Sequence, residues 1–340
     1  MLLLFTDFLS GFLGAELTSY LLLVIGFVLL TVAADWLVDG ASSLAKLFHM
    51  SDLVIGLTVV AMGTSMPELV VNLASAIDHE TDLAITNVLG SNIANILLIL
   101  GCTAAIRPVF CSKGTTPEVI VSIIASVLVM IFALKNDLNR YEGLVLVFCF
   151  ITYIYLTLTG TKKLRAKQLA EGTLVEEEDN EIALMPLPKT LFLIIVGLIG
   201  LACGGQATVE GAIAIATRHH IPASVIGVTI VAIGTSLPEL ATSIIAALKG
   251  HTELAIGNVV GSNVFNIFFV LGITSSIFPL PAYDNLLRDA LIGTIASILM
   301  LLFIVNSKNR SVTRWEGIFL VLVYISYMII LVNEVTHFIN

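Results

Sequence analysis

Residues 56–101 read GLTVVAMGTSMPELVVNLASAIDHETDLAITNVLGSNIANILLILG, and residues 227–272 read GVTIVAIGTSLPELATSIIAALKGHTELAIGNVVGSNVFNIFFVLG. The two stretches align without a gap at an offset of 171 residues, and about half of their positions are identical. Self-similarity of this kind marks a repeated structural unit. The same offset pairs Gly26 with Gly197, Gly40 with Gly211 and Pro108 with Pro279. Beyond a short insertion, Tyr141-Glu142-Gly143 matches Trp315-Glu316-Gly317. The whole chain reads as a duplication.

The medium follows from composition. Of the 340 residues, 57% are hydrophobic and 12% charged, with a mean hydropathy of +1.01. Soluble domains carry about 25% charged residues, so this composition excludes a cytosolic enzyme, a disordered chain and a nucleic-acid binder. Apolar runs long enough to span a bilayer fall near 20–45, 53–77, 83–106, 117–134, 141–160, 190–217, 224–248, 254–277, 290–306 and 315–337. The expected fold is an all-α polytopic membrane protein of ten transmembrane helices. The one long polar stretch, 161–189, divides the ten into five (1–160) and five (190–340).

Basic residues in short loops set orientation. With the 161–189 linker cytoplasmic, twelve of the 16 Lys and Arg fall inside. Lys135, Arg140, Arg218 and Arg288 fall outside, together with both termini. An odd number of spans per copy then makes the two five-helix repeats inverted, the plan of many secondary transporters with a midplane site. No cleaved signal peptide is expected, because the first residues lack a basic segment. Cys102, Cys111, Cys149 and Cys203 are scattered and read as small apolar fillers.

Ionisable groups at bilayer depth are costly and mark function. Glu68 and Glu239 lie well inside apolar runs, at equivalent places in the two copies, and follow Pro67 and Pro238. Proline removes a backbone donor and crowds the preceding turn, so each helix is expected to kink or break there. Ala61, Thr64, Ser65 and Glu68 share one helix face by their spacing, and Ser91 and Asn95 are four apart on the next helix. Ala232, Thr235, Ser236, Glu239, Ser262 and Asn266 repeat the arrangement. Carboxylate, hydroxyl, amide and carbonyl oxygens are hard ligands, suited to Na+ or Ca2+ rather than zinc or copper.

GTSMPE with GSNIAN, GTSLPE with GSNVFN, and the preceding AADWLVDG together resemble the two alpha-repeats of the Ca2+/cation antiporter superfamily, in its Na+/Ca2+ exchanger branch. The resemblance covers nearly the whole chain, with alpha motifs at 56–101 and 227–272. It implies Glu68 and Glu239 as principal Ca2+ ligands shared with Na+, and oxygens from Thr64, Ser65, Thr235 and Ser236. It also implies backbone carbonyls of Ala61 and Ala232 for outer Na+ sites beside Ser91 and Ser262, with Asn95 and Asn266 lining the centre. The K+-dependent branch relies on an Asp where this chain has Asn95 or Asn266, which argues against K+ co-transport. The GNxxE-type repeats of the Ca2+/H+ exchangers are absent.

The function expected is a microbial antiporter in the prokaryotic plasma (inner) membrane that exports Ca2+ against inward Na+. It would need no cofactor and no obligate protein partner, and the bilayer would be its only large partner. Two ionised Glu are neutralised by one Ca2+, whereas the three Na+ that the resemblance implies would leave one positive charge. Competition for one carboxylate pair enforces exchange. The residues leave open H+ as driver or another divalent cation as cargo. A cation channel is a more remote reading. An intramembrane protease would need a Ser/His dyad or metal-binding His at depth, and the six histidines fall at loop edges.

Outside the motifs, Asp39 and its counterpart Glu210 read equally as lining for an ion path or as packing caps. Asp35 pairs with Gln206 in the repeat. Glu142 and Glu316 begin helices, where a carboxylate suits the N-terminal dipole. The run Glu176, Glu177, Glu178, Asp179, Glu181 reads as a solvated tether.

Overall fold

In the computed structural model the described residues are 14–135, 137–170, 185–281 and 285–339. They are almost entirely helical. Helix α1 (Ala15–Phe48) ends on His49 in the left-handed conformation, φ 52°, which turns its N–H back to the last carbonyls, with Lys46 in the final turn. A broken pair follows, α2a (Asp52–Thr64) and α2b (Met66–Ile77), bent by 42°. Next come α3 (Thr81–Ile106), α4 (Thr115–Ala133) and α5 (Arg140–Ala170). The second half runs α6 (Leu187–Arg218), α7a (223–234), α7b (Leu237–Lys249), α8 (Thr252–Ile277), α9 (Leu286–Asn306) and α10 (Arg314–Ile339).

Eight of these helices are long and apolar enough to cross a membrane, and the bent α2a–α2b pair makes a ninth candidate. The run expected at 224–248 is divided at Thr235–Ser236, so neither part spans alone. The breaks fall just before each proline rather than at it. Ser65 and Ser236 leave helical geometry (ψ 8° and 3°), and Pro67 and Pro238 stand in the first turn of the new half-helix. Proline is favoured there because its missing N–H has no partner to lose. The expected linker is shorter than 161–189, since α5 continues to Ala170 and α6 starts at Leu187; Glu176–Glu178, Asp179 and Glu181 lie outside the described residues.

Packing between halves is reciprocal. Helices α1 and α6 lie antiparallel, seamed by glycine. A Cβ on Gly26 would meet Thr208 N at 2.7 Å and Gly204 O at 2.9 Å; one on Gly197 would meet Leu37 N at 2.9 Å and Ala33 O at 3.0 Å. Adding 171 to 33 and 37 gives 204 and 208. Likewise Gly40 abuts Thr190 and Ile194, and Gly211 abuts Ser19 and Leu23. The outer helices exchange partners in the same way. Gly101 of α3 meets Gly317 of α10, and Gly272 of α8 meets Val147 of α5.

At the centre stand α3 and α8, with α8 buried along nearly its whole length. Apolar side chains face outward instead on the peripheral helices, for example Phe148 and Ile151 on α5 and Leu322 and Ile329 on α10. Two short antiparallel ladders, absent from the sequence reading, tie the halves at the loops. β1 (Val109–Phe110) pairs with β4 (Ser311–Val312), and β2 (Asp137–Leu138) with β3 (Leu280–Pro281). Two-residue strands carry no periodicity to read. The helix-start roles of Glu142 and Glu316 hold: Glu142 accepts the Asn139 N–H at 3.0 Å and Glu316 the Thr313 N–H at 2.7 Å. Asn139 and Thr313 accept in return, completing capping boxes. All four cysteines are free.

The glycine seam predicts an overpacking effect. Gly26→Val is expected to lower the thermal midpoint of the detergent-solubilised protein by roughly 5 °C or more. Gly160→Ala, with nothing within 4 Å of its Cβ position, should leave the midpoint unchanged.

Candidate functional site

Each half-helix break presents a serine, a threonine and a carboxylate to the centre. Glu68 sits in the first turn of α2b and Glu239 in the first turn of α7b, and both are 1% exposed. Placement at a helix N-terminus offsets part of the cost of a buried carboxylate. The Ser65 hydroxyl donates to Glu239 Oε1 at 2.8 Å, which draws the two breaks together across the molecule. Thr64 donates to Asn258 Oδ1 at 3.2 Å.

The facing wall comes from α3 and α8, where the helix widens to π-helical turns at Asn95–Leu100 and Asn266–Leu271. Two more lie at Gly56–Val60 and Gly227–Val231. All four fall at repeat-equivalent positions, and π-turns inside α-helices gather at functional sites. Asn95 and Asn266 each begin one of these turns. Asn95 Nδ2 donates to Asn263 Oδ1 at 3.0 Å.

Of the twelve residues marked by sequence, ten are buried, Thr235 is half-buried and Ala232 is exposed. Several of them carry unmet polar demand. Glu68 Oε2, Glu239 Oε2, Thr235 Oγ1, Ser236 Oγ, Ser262 Oγ, Asn95 Oδ1 and Asn266 Oδ1 are buried without a hydrogen-bond partner. Buried polar atoms are ordinarily paired, and each orphan costs about 1–3 kcal/mol. These seven oxygens belong to repeat-equivalent motifs and are hard donors of the kind that suits a hard cation. Among the described residues no three His, Cys, Asp or Glu side chains converge, so a cation here would rest on two carboxylates with neutral oxygens. Thr64, Ser65 and Ser91 differ, because their hydroxyls donate to Asn258 Oδ1, Glu239 Oε1 and Asn87 O.

Sequence reading missed the asparagines behind the carboxylates. Asn258 Nδ2 reaches Glu239 O at 3.3 Å and Ser243 Oγ at 3.0 Å; Asn87 Nδ2 reaches Glu68 O at 3.5 Å and Asn72 Oδ1 at 2.7 Å. Asn92 and Asn263 exchange bonds to each other's backbone carbonyl at 3.2 and 3.4 Å. Their recurrence at the 171 offset was visible, but nothing local separated them from ordinary helix polar residues.

The two halves are not equally closed. Helix α2a lies tight on α8: a Cβ on Gly56 would meet Leu254 O at 2.7 Å, and one on Gly261 would meet Leu57 O at 2.7 Å. The equivalent glycines, Gly227 and Gly90, have nothing within 4 Å, and Val231 is 40% exposed. A cleft therefore opens between α7a and α3. At the closed end Lys249 pairs with Asp35 at 2.7 Å and Asp39 at 2.6 Å, and His251 Nδ1 lies 2.6 Å from Asp52. Asp35 and Asp39 thus join α1 to the tip of α7b, while Glu210 takes the Gln206 amide at 3.0 Å.

Comparison with known proteins agrees with this geometry. The family model for "Sodium/calcium exchanger protein" matches residues 18–159 and 189–333. The chain is 37% identical over 324 residues to the putative antiporter CaxA of Alkalimonas amylolytica, covering 94% of this chain and 100% of that protein. It is 32% identical over 345 residues to the sodium/calcium exchanger MaX1 of Methanosarcina acetivorans, covering 92% and 98%. A solved structure of the sodium-calcium exchanger NCX_Mj superposes with a TM-score of 0.77 at 32% identity, covering 91% of this chain and 97% of that one.

Glu68→Gln or Glu239→Gln removes one of the two buried charges while keeping its shape. Each is expected to weaken Ca2+ binding to the purified protein by roughly 100-fold or more, the equivalent of about 3 kcal/mol. Titration calorimetry reads this, and wild-type affinity in either variant would contradict the site.

Proposed function

The chain belongs to the sodium/calcium exchanger protein family, and from that premise we propose that it exchanges Na+ for Ca2+ across the membrane by alternating access. It is a multi-pass membrane protein of a family of exchangers rather than enzymes. The observation that carries the proposal is the set of orphaned, buried oxygens around Glu68 and Glu239. Relatives named as sodium/calcium exchangers support the choice of ions.

We place Ca2+ between Glu68 and Glu239, with oxygens of Thr64, Ser65, Thr235, Ser236, Asn95 and Asn266 around it. Ala61, Ala232, Ser91 and Ser262 complete the outer Na+ positions. One Ca2+ cancels the charge of both carboxylates, and Na+ competes for the same oxygens. Occupancy by one ion type therefore excludes the other, which couples their movements. Neutral Asn95 and Asn266 supply no further charge for K+, in keeping with K+-independent exchange.

In the proposed architecture ten spans form two inverted five-helix repeats, 1–160 and 190–340, about the 161–189 linker. The reciprocal contacts of α1 with α6, and of α3–α10 with α8–α5, support it. With the linker cytoplasmic and the termini outside, the cleft beside α7a opens outward and the Lys249 end is closed toward the cytoplasm. The setting is the prokaryotic plasma (inner) membrane, and the working direction is Ca2+ extrusion.

The test is 45Ca2+ uptake into proteoliposomes loaded with Na+. An outward Na+ gradient is expected to drive uptake, unaltered by replacing external choline with K+. Uptake driven equally by a pH gradient without Na+ would instead make H+ the coupling ion.

A further inference from the structure

The central polar bonds come in mirror pairs, and one member of each pair is made. Thr64 donates to Asn258, whereas the equivalent Thr235 Oγ1 is orphaned and does not reach Asn87. Ser65 donates to Glu239, whereas Ser236 Oγ and Glu68 Oε2 are both orphaned. Asn95 donates to Asn263, whereas Asn266 Nδ2 and Asn92 Oδ1 are both orphaned. Of the bonds made, Thr64–Asn258 joins α2a to α8 where the two are closed, Ser65–Glu239 joins the two breaks, and Asn95–Asn263 joins α3 to α8. The Asn92–Asn263 clasp, in contrast, is made in both directions. Among the asymmetric pairs, Thr64–Asn258 and its missing counterpart Thr235–Asn87 are the ones that span a seam closed on one side and open on the other.

Asn87 and Asn258 are the members of this set outside the ion-ligand motifs. The carbonyl of Glu239 can only accept, so the amide nitrogen of Asn258 must face it and its Oδ1 must face Thr64. One side chain therefore fixes the backbone of the site glutamate and also receives the hydroxyl of the opposite repeat when that side closes. Asn87 holds the carbonyl of Glu68 in the same way, with its acceptor left for Thr235.

We propose that Asn87 and Asn258 are positioning residues that form a two-way hydrogen-bond toggle. The Thr64–Asn258 bond stabilises closure of α2a on α8, and a Thr235–Asn87 bond stabilises closure of α7a on α3 in the opposite state. The two bonds are alternatives, and each end state has one. This rests on the alternating-access reading above. It adds that the balance between the states is set by two amides that are not ion ligands.

Hydrogen exchange by mass spectrometry on the full-length protein in nanodiscs, free of Na+ and Ca2+, reads both segments at once. In the wild type, residues 52–64 should be protected relative to 223–234. Asn258→Ala should shift the ratio of exchange rates toward opening of 52–64 by about fivefold, the population change for loss of one buried hydrogen bond. Asn87→Ala should shift it in the opposite direction, and the double variant should return it near the wild-type value. A merely structural role would raise exchange in both segments for both variants. That result, or shifts of the same sign, or no shift, would overturn the toggle. Should either alanine variant fail to fold, Thr64→Val and Thr235→Val remove the same bonds from the donor side with the same opposed signs expected. Wild-type proteoliposomes without Na+-coupled Ca2+ flux would overturn the exchanger reading, a result distinct from any pattern of exchange ratios.

Discussion

Burying two carboxylates in one apolar body is the constraint around which this protein is organised. Glu68 and Glu239 are each 1% exposed, and each retains an oxygen without a partner. Such groups persist only where something compensates. Part of the compensation is local, because both stand in the first turn of a half-helix whose dipole favours negative charge. Part is cross-molecular, through the Ser65 hydroxyl on Glu239. The remainder is not met by any hydrogen bond within the protein.

The breaks that expose the carboxylates need support, and the rest of the fold supplies it. An interrupted helix in a membrane must find partners for its backbone inside the protein. Asn87 and Asn258 hold the carbonyls of the two glutamates from α3 and α8. Those two helices are clasped by Asn92 and Asn263. Outside them the glycine-seamed α1–α6 pair allows close backbone approach, and the buried Ser43–Thr190 hydroxyl pair at 3.0 Å joins the two helices.

Sequence symmetry and structural asymmetry meet at the cleft. The core motifs are nearly identical, yet the tips of the half-helices differ: Lys249 occupies the place of Asp78, and His251 that of Glu80. At the Lys249 and His251 end the tip is ion-paired to Asp35, Asp39 and Asp52. The other end carries carboxylates at the equivalent positions, and its cleft is open. Two copies of one motif thus sit in different electrostatic settings.

Much of this was legible in the residues alone. Apolar runs of spanning length, a repeat at a fixed offset, and a Pro-Glu pair inside each copy determined a duplicated membrane protein with a carboxylate site, because burial of charge and loss of a backbone donor are local facts. The capping roles of Glu142 and Glu316 were readable for the same reason. The tertiary structure decided where each helix breaks, at Ser65 and Ser236 rather than at the prolines. It also decided that Asp35 and Asp39 hold Lys249, that Asn87 and Asn258 back the glutamates, and that short ladders join the loops. Which member of each symmetric hydrogen-bond pair is made was decided there too. That is a property of how two equivalent sequences pack against each other, and neither sequence contains it.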